Sequence, residues 1–288
     1  MGKLLIVDGH NLLWQMYCGM PARIVNEDGK AIQGTMGFVG GLIKIIKITE
    51  PTHIIVLFDG EHGNDKTELC SEYKANRGIG VAGDDLFVQL ADICKALDFM
   101  KIKYKEITEL VEADDVISSY ACIYGKDMQI VISSFDSDFF QLINDNISIL
   151  RYRGVNTVIC DTQYIQDKYG ILPEQYADFK SLTGDNSDNI KGAEKVGIKT
   201  AAALINQFGN LQDIIINTDK IKKPSVKDSI TLNIERLKIN YKLIKLDDRA
   251  TIPLDLTELA YMYNGITTHE VLKGIKLLNE HKKKCENK

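Results

Sequence analysis

Long apolar runs are absent from this 288-residue sequence. None approaches the ~18 residues of a membrane-spanning helix, and Leu4–Val7 is far too short for the core of a secretion signal. The six cysteines, at 18, 70, 94, 122, 160 and 285, form no CxxC pair and no zinc-type spacing with histidine. Reduced thiols and a cytoplasmic setting are the expectation. The five histidines, at 10, 53, 62, 269 and 281, make no metal-site pattern either. A basic excess is also missing. The formal net charge is −5, which argues at first against a nucleic-acid partner. No internal repeat or low-complexity tract interrupts the chain.

What is present is a recurrent strand signal. Leu4-Leu5-Ile6-Val7 precedes Asp8, Ile54-Ile55-Val56-Leu57-Phe58 precedes Asp59, and Ile130-Val131-Ile132 shortly precedes Asp136. Continuous runs of this kind read as strands buried on both faces, hence parallel strands of an α/β sheet. Helical stretches are predicted around 34–48, 84–99 and 113–124, with Asp84-Asp85 capping the second. Strand–helix alternation predicts a right-handed, doubly wound architecture for residues 1–160. In such sheets the crevice lies beyond the carboxyl ends of the strands, so Asp8, Asp59 and Asp136 meet there. An aspartate after one strand is commonly a helix cap; three on three strands point to a site. From Asp161 to residue 288 the pattern is helical, with a polar, basic loop expected at 218–228 and a frayed tail at 281–288. Trp14, Tyr17 and Phe38 are assigned to core packing.

Further acids follow in tight groups. Glu112-Ala113-Asp114-Asp115 opens a helix, where Glu112 and Asp115 share a face. Asp136-Ser137-Asp138 follows the third strand, and Gly184-Asp185-Asn186-Ser187-Asp188-Asn189 sets two acids three apart in a glycine-marked turn. Nine carboxylates in one crevice repel unless cations neutralise them. Oxygen-only donors suit Mg²⁺ or Mn²⁺, and two such ions about 4 Å apart can activate a water and stabilise the leaving oxygen of a phosphodiester. Setting nine of the 40 acids aside as ligands leaves 31 against 35 Lys and Arg, a balance of +4, so global charge decides nothing.

In order along the chain, Val7-Asp8-Gly9, Phe58-Asp59, Glu72-Tyr73-Lys74-Ala75-Asn76-Arg77, Glu112–Ile117, Asp136-Ser137-Asp138 and Gly184–Ile190 resemble the 5′ nuclease family. That family comprises the N-terminal domain of bacterial DNA polymerase I, its stand-alone relatives and the flap endonucleases. The resemblance covers roughly residues 3–245 and implies a PIN-like α/β core, without a polymerase segment. It assigns one ion to Asp8, Asp59, Glu112, Asp114 and a shared Asp136. The second falls to Asp136, Asp138, Asp185 and Asp188, with Asp115 nearby. Lys74 and Arg77, with Tyr73, are implied at the scissile phosphate and terminal base, on an arch spanning about 60–83.

Residues 185–208 resemble the family's helix–hairpin–helix element, whose backbone N–H groups meet a DNA phosphate. Lys191, Gly192, Lys195, Gly197, Lys199 and Thr200 are the implied contacts. A phosphate-binding P-loop is excluded there by the extra residue Ile198 between Gly197 and Lys199. Two departures stand out: Lys195 replaces a glycine of the turn and Lys191 a proline. The lysine in the turn makes K⁺ held by hairpin carbonyls doubtful. Phe135 and Ser137 also depart from the family's usual residues. The reading is a monomeric nuclease of bacterial cytoplasm or nucleoid, acting on 5′ flaps, nicked or branched duplex and RNA-primed ends. A PIN-type ribonuclease would be shorter and lack the second acidic pair; a non-catalytic DNA-junction-binding module would have lost ligands, and none is missing.

Overall fold

A computed structural model describes residues 2–20, 22–60, 83–108 and 111–278, apart from the side chains of 83–87. The arch with Tyr73, Lys74 and Arg77, the capping role of Asp84-Asp85 and the tail therefore lie outside the described residues. The three apolar runs form strands β1 (Lys3–Asp8), β2 (His53–Asp59) and β4 (Gln129–Ser133), with β1 hydrogen-bonded between the other two. Three further strands complete the sheet: β3 (Lys103–Ile107), β5 (Ile147–Arg151) and β6 (Val158–Cys160). The order is β3-β2-β1-β4-β5-β6, parallel except for β6. β3 is an edge strand of alternating charge and exposure, which explains why it carries no apolar-run signal.

Burial on both faces follows from alternation along β1. Leu4 and Ile6 enter the core shared with α4 (Ala113–Tyr124), through Val116, Ile117 and Tyr120. Leu5 and Val7 point the other way, into a core shared with α1 (Gly9–Gly19), α2 (Gln33–Thr49) and α3 (Gly83–Phe99). Phe38 lies at the centre of that second layer, 0% exposed and stacked on Phe58. Trp14 does not share its role: at 47% exposure it stands on the outer face of α1, where the helix turns its other side to the sheet.

From Asp161 to Ile244 the described chain is helical, with short connections and one small hairpin, and an irregular stretch then leads to a last helix. α5 (Thr162–Tyr169) and α6 (Tyr176–Thr183) lead to β7 (Gly184–Asp185) and β8 (Ile190–Lys191). Then follow α7 (Ile198–Phe208), α8 (Leu211–Ile216), α9 (Pro224–Leu232), α10 (Ile234–Ile244) and α11 (Thr268–Gly274). The loop expected at 218–228 is only half a loop, because Pro224 sits in the first turn of α9, where its missing N–H costs nothing. Residues 246–278 lace back over the molecule. Tyr120 bonds both backbone groups of Leu254, Tyr261 N–H reaches Thr52 O at 2.8 Å, and Val271 is fully buried.

Phe38→Ala removes a fully buried ring under the central strands. It is expected to lower stability by about 3–5 kcal/mol, read as a fall in urea midpoint at unchanged slope.

Candidate active site

Asp8 ends β1 and caps α1, accepting from Asn11 N–H at 3.0 Å and Ser134 Oγ–H at 2.8 Å. Ser134 Oγ in turn accepts from Asp136 N–H at 3.0 Å, and Asn11 Oδ1 from Phe135 N–H at 3.0 Å. The end of β1 is thus stitched to the loop after β4. Asp59 ends β2, and its Oδ1 accepts from Ala113 N–H at 2.8 Å, joining the strand to the first turn of α4. Its own N–H donates to His10 Nδ1 at 3.0 Å. That bond places the imidazole proton on Nε2, and burial holds the His10 pKa below its usual value.

Glu112 stands at the N-cap of α4, with Asp114 and Asp115 in its first turn, where the helix dipole favours anions. Glu112 and Asp115 are both buried. Asp138 N–H bonds Asp136 Oδ1 at 2.8 Å, which curls the two acids of that loop toward each other. In the β7–β8 hairpin Asp185 Oδ1 accepts from Ser187 N–H at 2.8 Å and from its hydroxyl at 2.6 Å, and Asp188 is buried.

Between these groups lies a residue that sequence reasoning missed. Lys180 of α6 is buried, and its ammonium bridges Asp138 Oδ1 and Asp185 Oδ2. Burial alone would lower its pKa, but Asp138, Asp136 and Asp185 together raise it, so the amine stays charged. Burial would raise Asp185 as well, yet Lys180 and Ser187 hold it below its usual value. The available signal was a lysine five residues before Asp185, on a helix otherwise buried from Tyr176 to Leu182.

Elsewhere burial wins. It lifts Asp8 to about 7, with repulsion from Asp59 and Asp136 adding to the shift and the bonds from Asn11 and Ser134 opposing it. Asp138 is likewise raised by burial, despite Lys180. Carboxylates pushed upward by burial and mutual repulsion, with an internal lysine among them, are a donor set that fits hard divalent cations. Among the described residues, no three such side chains are already gathered tightly enough to enclose an ion.

Beyond the acids, the hairpin leads into α7. Gly192 packs against the end of α6: an added Cβ would lie 2.3 Å from the Thr183 carbonyl carbon and 2.5 Å from Leu182 O. Its glycine is explained by close packing. Lys195 occupies the glycine-like position at φ 62°, at a cost of about 1 kcal/mol or more. Gly197 caps α7 in extended backbone, with nothing near an added Cβ. Lys191, Lys195 and Lys199 are exposed around that helix start and Thr200 is half-buried, while Ala193 and Val196 anchor the turn in the core.

Two family models match consecutive stretches of the chain. Residues 3–170 match the N-terminal resolvase-like domain of 5′-3′ exonucleases, and residues 171–265 match their C-terminal SAM fold. The chain belongs to the 5′-3′ exonuclease family. A 5′-3′ exonuclease of Buchnera aphidicola is 36% identical over 265 residues, covering 88% of each chain. DNA polymerase I of Thermus aquaticus is 32% identical over 256 residues; 88% of this chain matches 29% of that polymerase, so the chain spans under a third of such relatives. The T5 5′-exonuclease with bound zinc matches with a TM-score of 0.70 at 25% identity, over 84% of this chain and 89% of that one. A bacteriophage T5 flap endonuclease in complex with DNA and metal ions matches with the same TM-score at 24% identity, over 84% and 88% of the two chains. This family member accordingly combines a mostly parallel resolvase-like sheet with a helical C-terminal part.

The raised Asp8 gives the family fold a testable pH signature. Its folded pKa of about 7 lies above the ordinary 3.8 of an aspartate, so the folded chain binds more protons than the unfolded chain between those values. Metal-free stability should therefore fall as pH rises through that window. Divalent ions bind the ionised carboxylates, so the gain in Tm on adding Mg²⁺ is expected to be larger at pH 7.5 than at pH 5. A gain independent of pH would contradict the placement of Asp8.

Proposed function

We propose that this family member is a structure-selective 5′ nuclease, hydrolysing phosphodiester bonds of 5′ flaps, nicked or branched duplex DNA and RNA-primed ends. The observation that carries the reading is buried Lys180 joining Asp138 to the hairpin's Asp185, while Asp8, at the end of the neighbouring strand, is stitched through Ser134 to the loop of Asp136 and Asp138. Asp8, Asp59, Glu112, Asp114 and Asp136 would hold one Mg²⁺ or Mn²⁺ ion. Asp136, Asp138, Asp185 and Asp188 would hold the second, with Asp115 beside it. Such ions, when bound, activate water and stabilise the leaving oxygen of the scissile bond.

The protein's own side chains set the rest of the reaction. Asn11 and Ser134 orient Asp8, and Ala113 N–H orients Asp59. Lys180 offsets the charge of Asp138 and Asp185 in the metal-free protein. The family resemblance gives Lys74 and Arg77 the scissile phosphate and Tyr73 the terminal base. Lys191, Lys195 and Lys199, around the open start of α7 with Gly192, Gly197 and Thr200, would hold duplex phosphates without reading sequence. Products with 5′-phosphate ends, and action as a monomer, complete the proposal.

Cleavage of a 5′-labelled flap in Mg²⁺, Mn²⁺ or EDTA tests it. Wild type is expected to cut near the junction in either metal and not in EDTA, and Asp185→Ala and Asp115→Ala to lose cutting. Trp14, the single tryptophan, lies half exposed on the helix that starts at Asp8 and provides an independent reading of binding. Its emission is expected to be quenched by flap DNA in wild type and in Asp185→Ala alike. Undiminished Mg²⁺-dependent cutting by both alanine variants would sink the site assignment.

A further inference from the structure

Apart from the shared Asp136, the acids assigned to the second ion, with Asp115 beside them, are fastened from one stretch of chain that supplies no ligand, namely α10 and the turn after it. Buried Asn240 donates to Ser181 O at 3.1 Å and to Lys191 O at 2.9 Å. Those carbonyls flank the hairpin that carries Asp185 and Asp188. Arg236, one turn earlier, donates to Gly192 O at 2.8 Å. Gln141, buried three residues after Asp138, donates to Asp138 O at 2.8 Å and Ile244 O at 3.0 Å, and accepts from Leu246 N–H at 3.1 Å. Asp247 N–H then reaches Asp115 Oδ1 at 2.9 Å.

The first group is held by different means. Asp8 is fixed by Asn11 and Ser134, and Asp59 by the start of α4. We propose that residues 236–247 form a positioning strap that sets the geometry of the second ion's ligands separately from the first. The proposal rests on the two-ion reading above. Gln141 commits both its polar atoms to backbone, so it acts through Asp138 and not on substrate. Groups of this kind, one bond removed from the ligands, tune metal affinity by orienting them.

Mn²⁺ binding to the full chain, followed by calorimetry and by loss of the free-ion EPR signal, tests the strap. Wild type is expected to show two classes of ion, one lost in Asp8→Asn and the other in Asp188→Asn. Gln141→Met and Asn240→Leu keep side-chain size and remove the bonds. Each is expected to weaken the Asp188-dependent class about 10- to 100-fold and leave the other within about twofold. Metal-free thermal unfolding identifies any variant that fails to fold, and either of the two then suffices. Equal weakening of both classes, or of neither, overturns the strap. A wild type without a second class would overturn the two-ion reading and the strap with it.

Discussion

Keeping carboxylates buried, and near enough to repel one another, is the constraint on which the molecule is organised. Two unit charges 4 Å apart repel by about 4 kcal/mol at an effective dielectric of 20, and this crevice holds several. The fold manages them by meeting six of the nine acids with a fixed donor or cation. Backbone N–H groups serve Asp8, Asp59, Asp115, Asp136 and Asp185, and the Lys180 ammonium serves Asp138 and Asp185. The compensation is incomplete at Asp8, where burial, with repulsion from Asp59 and Asp136 added, outweighs the two bonds it accepts.

The arrangement of the sheet follows from the same need. Placing β1 between β2 and β4 brings three carboxyl ends together, which an order following the sequence would not do. The apolar runs that make those strands are also what lets the ends be rigid. Leu4 through Val7 are fully buried, so the backbone leading to Asp8 is clamped by cores on both faces. Local and global demands agree, and the acids inherit precision from the core.

That agreement explains which parts were legible in the sequence. Asp8, Asp59 and the helix from Ala113 announce themselves through neighbours in sequence, by run length and by acids at a helix start. β3 and β6 do not, because an edge strand such as Lys103–Ile107 needs no continuous apolar face. α9 was hidden because Pro224 reads as a breaker unless it is known to fall in a first turn. Trp14 was misassigned because aromatic character signals burial while orientation around α1 decides it. Lys180 left only a faint trace, a lysine shortly before Asp185, for a deeper reason: its partner Asp138 is 42 residues away, and only the packing of α6 against the site joins them. The lysine at 195 was recognised as an anomaly, and the structure shows how it is absorbed, by one left-handed residue between two buried anchors.

The bonds at the end of β2 carry a consequence of another kind. Gly60 N–H meets Ile107 O at 2.7 Å, and Asp59 takes the N–H of Ala113, so the chain is pinned at both feet of everything between them. Both bonds use groups at or next to Asp59, so that carboxylate takes its place from the β2–β3 register and from the first turn of α4. A change of length elsewhere in the chain leaves it where it is as long as those two contacts persist.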